Sequence, residues 1–214
     1  MLIAVVTGNP KPAPRTHGVA LAVADTLRAA LVPSARSAPK VPSSGTPGAP
    51  APLVVDLAEH AAALFDSSDA ELTRLTVEVA AADVAIFASP TYKAAYTGML
   101  KAFLDRYGGD GLAGTVAVPV MTGGWPGHLL AVEVHLRPVL VELGAIVPAR
   151  GLFVTEPDIS APDAAIAKWA ETAVPLIRRA LAPRRTHDPE GFTTPRGSKP
   201  FGVIENHSEK PLLP

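Results

Sequence analysis

An alternation of short apolar runs with longer helical segments constrains the fold of this chain more than any other feature. Runs rich in Val, Ile, Ala and Leu predict five strands, at residues 2–7, 53–57, 83–89, 115–121 and within 145–154. These runs are largely apolar along their length, as strands covered on both faces require. Helical patterns predict five helices, at residues 16–31, 68–82, 97–107, 127–143 and 162–181.

Strict alternation of strand and helix predicts an α/β fold built on a parallel sheet with helices on both faces. Parallel strands need crossover helices, and those crossovers are right-handed. Five strands favour a flavodoxin-like three-layer fold with strand order 2-1-3-4-5 over the doubly wound order that uses six strands. In this fold a ligand binds beyond the carboxyl ends of the strands, where strands one and three diverge. The loops after strands one, three and four are therefore the ones to examine.

Two proline-rich stretches set the boundaries of the predicted domain. Residues 33–52 are mostly Pro, Ser, Ala and Gly, and we expect a mobile loop there because such a composition cannot fill a core. Residues 183–214 show little apolar periodicity, which predicts a C-terminal tail that is disordered or packs against another subunit. Residues 1–182 are then expected to form one domain.

Charge and composition exclude several classes of protein. The chain carries 19 Lys and Arg against 20 Asp and Glu, which argues against a nucleic-acid partner. No apolar run reaches the roughly 18 residues that span a bilayer, and the absence of cysteine fits a cytoplasmic protein. His128 and His135 lie seven residues apart, but packing at an interface explains them better than metal binding, so no metal ligand is assigned.

The loop after strand one has the features of an anion site. It ends at the start of a helix, where free backbone N–H groups and the helix dipole attract negative charge. Its candidate ligands are Gly8, Asn9, Lys11, Arg15 and Thr16. Arginine suits phosphate because it donates two parallel hydrogen bonds. The alternative is a rigid, proline-braced turn in which Thr16 is an ordinary N-cap.

The loops after strands three and four complete the candidate site. The first carries Pro90, Thr91, Tyr92 and Lys93, and an aromatic ring with exposed backbone there would suit a flat heterocycle. The second carries the candidates Thr122, Gly123 and Gly124. Consecutive glycines let backbone N–H groups approach a ligand closely. The alternatives are a surface loop with packed tyrosines and a flexible turn. Together the three loops match a phosphorylated planar cofactor such as FMN.

Three segments in this order resemble the NAD(P)H-dependent FMN reductases. They are Gly-Asn-Pro-Lys at residues 8–11 with Arg-Thr at 15–16, Ser-Pro-Thr-Tyr-Lys-Ala-Ala-Tyr-Thr-Gly at 89–98, and Thr-Gly-Gly with His-Leu-Leu-Ala-Val at 122–132. Within that family, the flavin reductases of two-component monooxygenases of the alkanesulfonate type are the most similar. The resemblance covers roughly residues 1–155 and implies that loop one binds the flavin phosphate, loop two lines the isoalloxazine ring and loop three contacts its pyrimidine edge.

The resemblance also implies a homodimer or homotetramer that assembles through the helix at 127–143. In the alkanesulfonate branch an inserted aromatic residue makes a π-bulge in this helix at the subunit interface. Here residues 133–138 contain no aromatic, although His135 is available for a related role, and Pro138 weakens the helical ladder. A further departure is Pro14, which stands where many relatives carry a small hydroxyl residue.

The implied activity is reduction of FMN by NADPH or NADH through hydride transfer to flavin N5, with the reduced flavin supplied to a flavin-dependent monooxygenase. The cofactors carry this chemistry, so no catalytic side chain is assigned. Two alternatives stay open. One is a reductase of quinones, azo dyes or chromate that keeps FMN tightly bound. The other is a flavodoxin-like electron carrier, which the near-neutral charge disfavours because such carriers tend to be strongly acidic.

Overall fold

The computed structural model describes residues 1–12, 14–31 and 50–182. The loop predicted at 33–52 lies outside the described residues except for 50–52, and the tail predicted at 183–214 lies wholly outside them. Both remain predictions. Within the described ranges, no helix combines the length and the apolar character needed to cross a bilayer.

Five parallel strands form a single sheet in the order β2-β1-β3-β4-β5, which confirms the predicted topology. The strands are β1 (Ile3–Thr7), β2 (Leu53–Asp56), β3 (Val84–Pro90), β4 (Val116–Gly123) and β5 (Leu152–Thr155). β3 and β4 extend furthest at the carboxyl edge, where Pro90 is paired with Thr122. Because Gly123 pairs with Thr155, the end of β5 lies at the same edge.

Helices cover both faces of the sheet, as the alternation predicts. They are α1 (Arg15–Leu31), α2 (Ala70–Ala80), α3 (Gly98–Leu104), α4 (Arg137–Glu142) and α5 (Asp163–Leu181). Successive side chains of a strand point to opposite faces, so Ile3 and Val5 pack in the core that includes α1 and α5. Ala4 and Val6 pack in the core on the other face, with α2 and α3.

The start of α3 is fixed to the end of β1 by its capping residue. Thr97 is the N-cap, as predicted, and its hydroxyl accepts a hydrogen bond from the Leu100 N–H at 3.2 Å. The same hydroxyl donates to the Gly8 carbonyl at 2.6 Å. The Ser89 hydroxyl accepts a hydrogen bond from the Thr97 N–H at 2.9 Å. The carboxyl ends of β1 and β3 are therefore held together by one helix terminus.

The prediction of one continuous α-helix at residues 127–143 is wrong. The segment consists of a 3₁₀ turn at Pro126–His128, a π-helix at Val132–Leu136 and the short α4. In the π-helix the Arg137 N–H donates to the Val132 carbonyl, five residues back. Pro138 explains why a regular α-helix is interrupted here. Proline has no N–H, and its ring would crowd the carbonyl four residues before it in a regular helix. The widened turn forms here without an aromatic residue.

Candidate functional site

A cleft of about 520 Å³ opens at the carboxyl edge of the sheet. Four chain segments line it: the loop after β1 with the start of α1, the ends of β3 and β4, and the segment after β5. The lining residues are Asn9, Lys11, Pro12, Pro14, Arg15, Thr16, Pro90, Thr91, Tyr92, Thr122, Gly123, Gly124, Glu156 and Ile159. The cleft lies where the topology of the sheet places a ligand site.

Hydrogen bonds join the three predicted loops. The hydroxyls of Thr16 and Thr122 are 2.7 Å apart, and both side chains are buried. The Thr91 N–H donates to the Thr122 carbonyl at 2.7 Å. Thr16 lies inside the first turn of α1, so its hydroxyl links α1 to β4 and does not serve as an N-cap. These bonds fix the spacing of the three segments around the cleft.

The first loop brings positive charge to the start of α1. The Asn9 side chain is buried and accepts the Lys11 N–H at 3.0 Å, which shapes the turn after β1. Lys11 and Arg15 are exposed, and Arg15 is the first residue of α1. The first N–H groups of a helix lack intrahelical partners and its dipole is positive at this end. This part of the cleft suits an anion.

An acidic residue from the far side of the cleft meets this positive charge. The Glu156 carboxylate forms an ion pair with the Arg15 guanidinium. Glu156 directly follows β5, and its side chain is 38% exposed, against 66% for Arg15. This loop was not among those predicted to form the site. The signal was available, because β5 ends at the same edge of the sheet as β1, β3 and β4.

A two-residue turn displays the aromatic residue of the second loop. Tyr92 and Ala95 exchange two backbone hydrogen bonds, at 2.8 and 3.1 Å. The residues between them, Lys93 and Ala94, have φ of 51° and 64°, as the two central residues of a type I′ turn require. Tyr92 lines the cleft and is 48% exposed. Tyr96 packs against the core behind this turn, and its burial raises its pKa.

The two glycines after β4 have different surroundings. A Cβ at Gly123 would lie 3.0 Å from Cζ of Phe153 and 3.2 Å from the hydroxyl of Thr91. A Cβ at Gly124 would meet no atom of the described part of the chain within 4 Å. A side chain at Gly123 would therefore crowd the side chains of Phe153 and Thr91, whereas Gly124 is exposed. The Thr91 hydroxyl is buried and has no hydrogen-bond partner among the described residues.

Ten of the twelve predicted site residues line the cleft, and Gly8 and Lys93 do not. Gly8 packs under α3, where a Cβ would come within 2.9 Å of the Leu100 Cα. Lys93 occupies the tip of the turn after β3. The lining residues that were not predicted are Pro12, Pro14, Glu156 and Ile159.

Comparison with known proteins finds relatives that are named FMN reductases. An "FMN reductase (NADPH)" of Escherichia coli (strain K12) is 42% identical over 97 residues, which are 45% of this chain and 50% of that protein. The "NADH-dependent FMN reductase SfnF" of Pseudomonas putida is 30% identical over 156 residues, covering 71% of this chain and 75% of that protein. The chain spans about half the length of the first curated relatives that it matches.

A solved structure and a family model extend the match over most of the chain. The apo form of "NADH:FMN oxidoreductase (EMOB)" superposes with a TM-score of 0.68 and 28% identity, covering 86% of this chain and 91% of that chain. The family model described as NADPH-dependent FMN reductase matches residues 1–158, which include every segment that lines the cleft except Ile159. The chain therefore belongs to the NADPH-dependent FMN reductase family.

Proposed function

We propose that this chain binds FMN in the cleft and catalyses its reduction by NADPH or NADH. The observation that carries the proposal is the meeting of a cationic helix start, an aromatic wall and an open glycine edge in one cleft. Relatives that are named FMN reductases, with either NADPH or NADH in their names, support the same activity.

The residues of the cleft fit the chemical parts of FMN. Lys11 and Arg15 lie beside the first turn of α1 and would hold the phosphate. Tyr92 and the backbone of Pro90 would border the planar ring. Considering only the residues that the structure describes, Thr91 has a buried hydroxyl without a hydrogen-bond partner, and Gly124 has open space on its Cβ side. A polar edge and an unobstructed backbone suit the pyrimidine end of the ring.

When bound, FMN would supply the redox chemistry of the reaction, the acceptance of a hydride from the nicotinamide. The chain's own contribution is positioning and electrostatics. The N–H groups of Gly123 and Gly124 would stabilise negative charge at the pyrimidine edge. Tyr92, half exposed at the mouth, would limit access to the ring face. By holding the flavin in one position, the cleft would raise the effective concentration of the reactants.

Delivery of reduced FMN to a flavin-dependent monooxygenase is the finer part of the proposal. It requires that flavin leaves the protein after reduction. The competing function is a reductase that retains FMN and passes electrons to quinones, azo dyes or chromate. Gel filtration of the protein with FMN separates these: a colourless protein peak that still turns over added FMN supports delivery, and a yellow protein peak supports retention.

The test of the activity is nicotinamide oxidation followed at 340 nm. Purified protein with FMN and NADPH or NADH should oxidise the nicotinamide faster than buffer alone. The double change Lys11→Gln with Arg15→Gln should raise KM for FMN by about tenfold or more, because two charge-assisted contacts to phosphate are lost. Riboflavin, which has no phosphate, should be affected little. Lys168→Gln, exposed on α5, is the control. No rate above buffer with either nicotinamide would refute the proposal.

A further inference from the structure

We propose that Glu156 competes with the flavin phosphate for Arg15 and thereby weakens the retention of FMN. This inference rests on the proposed function, since it concerns the same cleft and ligand. It assigns Glu156 the role of setting how readily the phosphorylated flavin leaves.

The geometry places a carboxylate on the cation that an anionic ligand would use. Arg15 stands at the start of α1 and Glu156 after β5, and their side chains meet as an ion pair. Both residues line the cleft. Glu156 is the one acidic residue among the described residues that line it, beside the cations Lys11 and Arg15. It therefore neutralises part of the charge that would attract phosphate.

Either arrangement of Arg15 in the complex lowers the affinity for phosphate. If Arg15 stays with Glu156, the phosphate loses one of its two nearby cations. If Arg15 turns to the phosphate, Glu156 loses its partner and places a negative charge near a dianion. The exposed pair adds little to folding stability. Its position at the cleft is better explained by an effect on the ligand.

The opposite role for Glu156 makes the opposite prediction. A carboxylate can also hold a guanidinium in the orientation that a ligand needs, as outer-shell partners do for other ligating groups. In that case the removal of its charge would weaken FMN binding. The sign of the change in affinity therefore decides between competition and orientation.

The experiment compares two flavins on the 214-residue chain after bound flavin has been removed. Quenching of flavin fluorescence gives Kd for FMN and for riboflavin with the wild type, Glu156→Gln and Glu78→Gln. Glu78 is the matched control, because it forms an exposed ion pair with Arg74 on α2, outside the cleft. We expect Glu156→Gln to tighten FMN by about three- to tenfold and to slow its release in stopped-flow displacement. The Kd for riboflavin should stay within about twofold, and the gain for FMN should shrink at high salt.

The possible results distinguish a failure of the proposed competition from a failure of the proposed function. The competition would be overturned if Glu156→Gln bound FMN as the wild type does or more weakly. It would also be overturned if the substitution tightened FMN and riboflavin equally. Both results would leave FMN binding itself intact. A similar gain in Glu78→Gln would show a nonspecific charge effect and overturn it as well. If the wild type bound neither flavin, the proposed function itself would fail, and the inference with it.

Discussion

Gly8 shows how one residue can be required at the site without lining it. Its N–H donates to the Ala88 carbonyl at 2.8 Å, and its carbonyl accepts the Thr97 hydroxyl. A Cβ at this position would come within 2.9 Å of the Leu100 Cα and 3.0 Å of its backbone nitrogen. The absence of a side chain therefore lets α3 approach the end of β1, which sets the position of the loop that carries Lys11.

Replacement of Gly8 by alanine should destabilise the protein in the absence of any ligand. The added methyl meets backbone atoms of α3 that cannot move without displacing the helix, so we expect a loss of about 1–3 kcal/mol in the free energy of unfolding. Urea unfolding of flavin-free protein measures it. Gly18→Ala is the control, because a Cβ there meets none of the residues in the described ranges within 4 Å and alanine favours helix α1 by about 1 kcal/mol. Full stability of Gly8→Ala combined with lost FMN binding would instead favour a direct ligand role.

Single residues were predictable from sequence where their role follows from chain position alone. Lys11 and Arg15 were found because a helix that follows a strand in this fold begins at the ligand edge. The packing role of Gly8 depends on α3, which lies about ninety residues along the chain. Glu156 reaches the cleft only through the pairing of β4 with β5. The strand order indicated the edge at which Glu156 lies, but its ion pair with Arg15 is a long-range contact without a local sequence pattern.

At the scale of elements, the π-helix is held to the segment before β5 by a polar cluster. The Glu133 carboxylate accepts the Gly151 N–H at 2.6 Å. Arg137, at the end of the π-helix, donates to the carbonyls of Val147 at 2.8 Å and Ala149 at 3.0 Å. Pro138 indicated from sequence that the helical ladder would be interrupted, but not that a π-helix would result. That outcome depends on contacts with a segment that no helical periodicity describes.

Loss of the Glu133 carboxylate should weaken the attachment of the π-helix to the segment before β5 and so destabilise the protein. In Glu133→Ala the buried Gly151 N–H loses its acceptor, and an unpaired buried donor costs about 1–3 kcal/mol of folding free energy. Urea unfolding would report the loss, and hydrogen exchange should show faster exchange at Gly151. Glu142→Ala is the control, since that side chain is exposed on α4. Equal stability of the two variants would show that the cluster contributes nothing to the link.

At the scale of the whole molecule, apolar side chains remain exposed along the segment that was predicted to mediate assembly. Leu129, Leu130, Val134 and Val141 are between 46% and 57% exposed. Exposed apolar groups that cluster on one surface mark interaction sites more often than scattered ones do. The sheet order and its ligand edge followed from apolar runs and crossover rules. The number of subunits does not follow from them, because the surface of one chain does not specify its symmetry partner.

Assembly through this segment predicts a specific response to a buried charge. We expect the wild type to sediment as a dimer or tetramer. Val134→Glu should weaken the assembly by about a hundredfold, because an unpaired carboxylate would be buried against apolar groups. Val77→Glu is the matched control, because Val77 lies on α2, outside the segment at 126–143, and is 65% exposed where Val134 is 57% exposed. Sedimentation velocity over a range of concentrations distinguishes the species. A monomeric wild type, or a Val134→Glu variant that assembles as the wild type does, would place the subunit interface elsewhere and leave these apolar residues without an assigned partner.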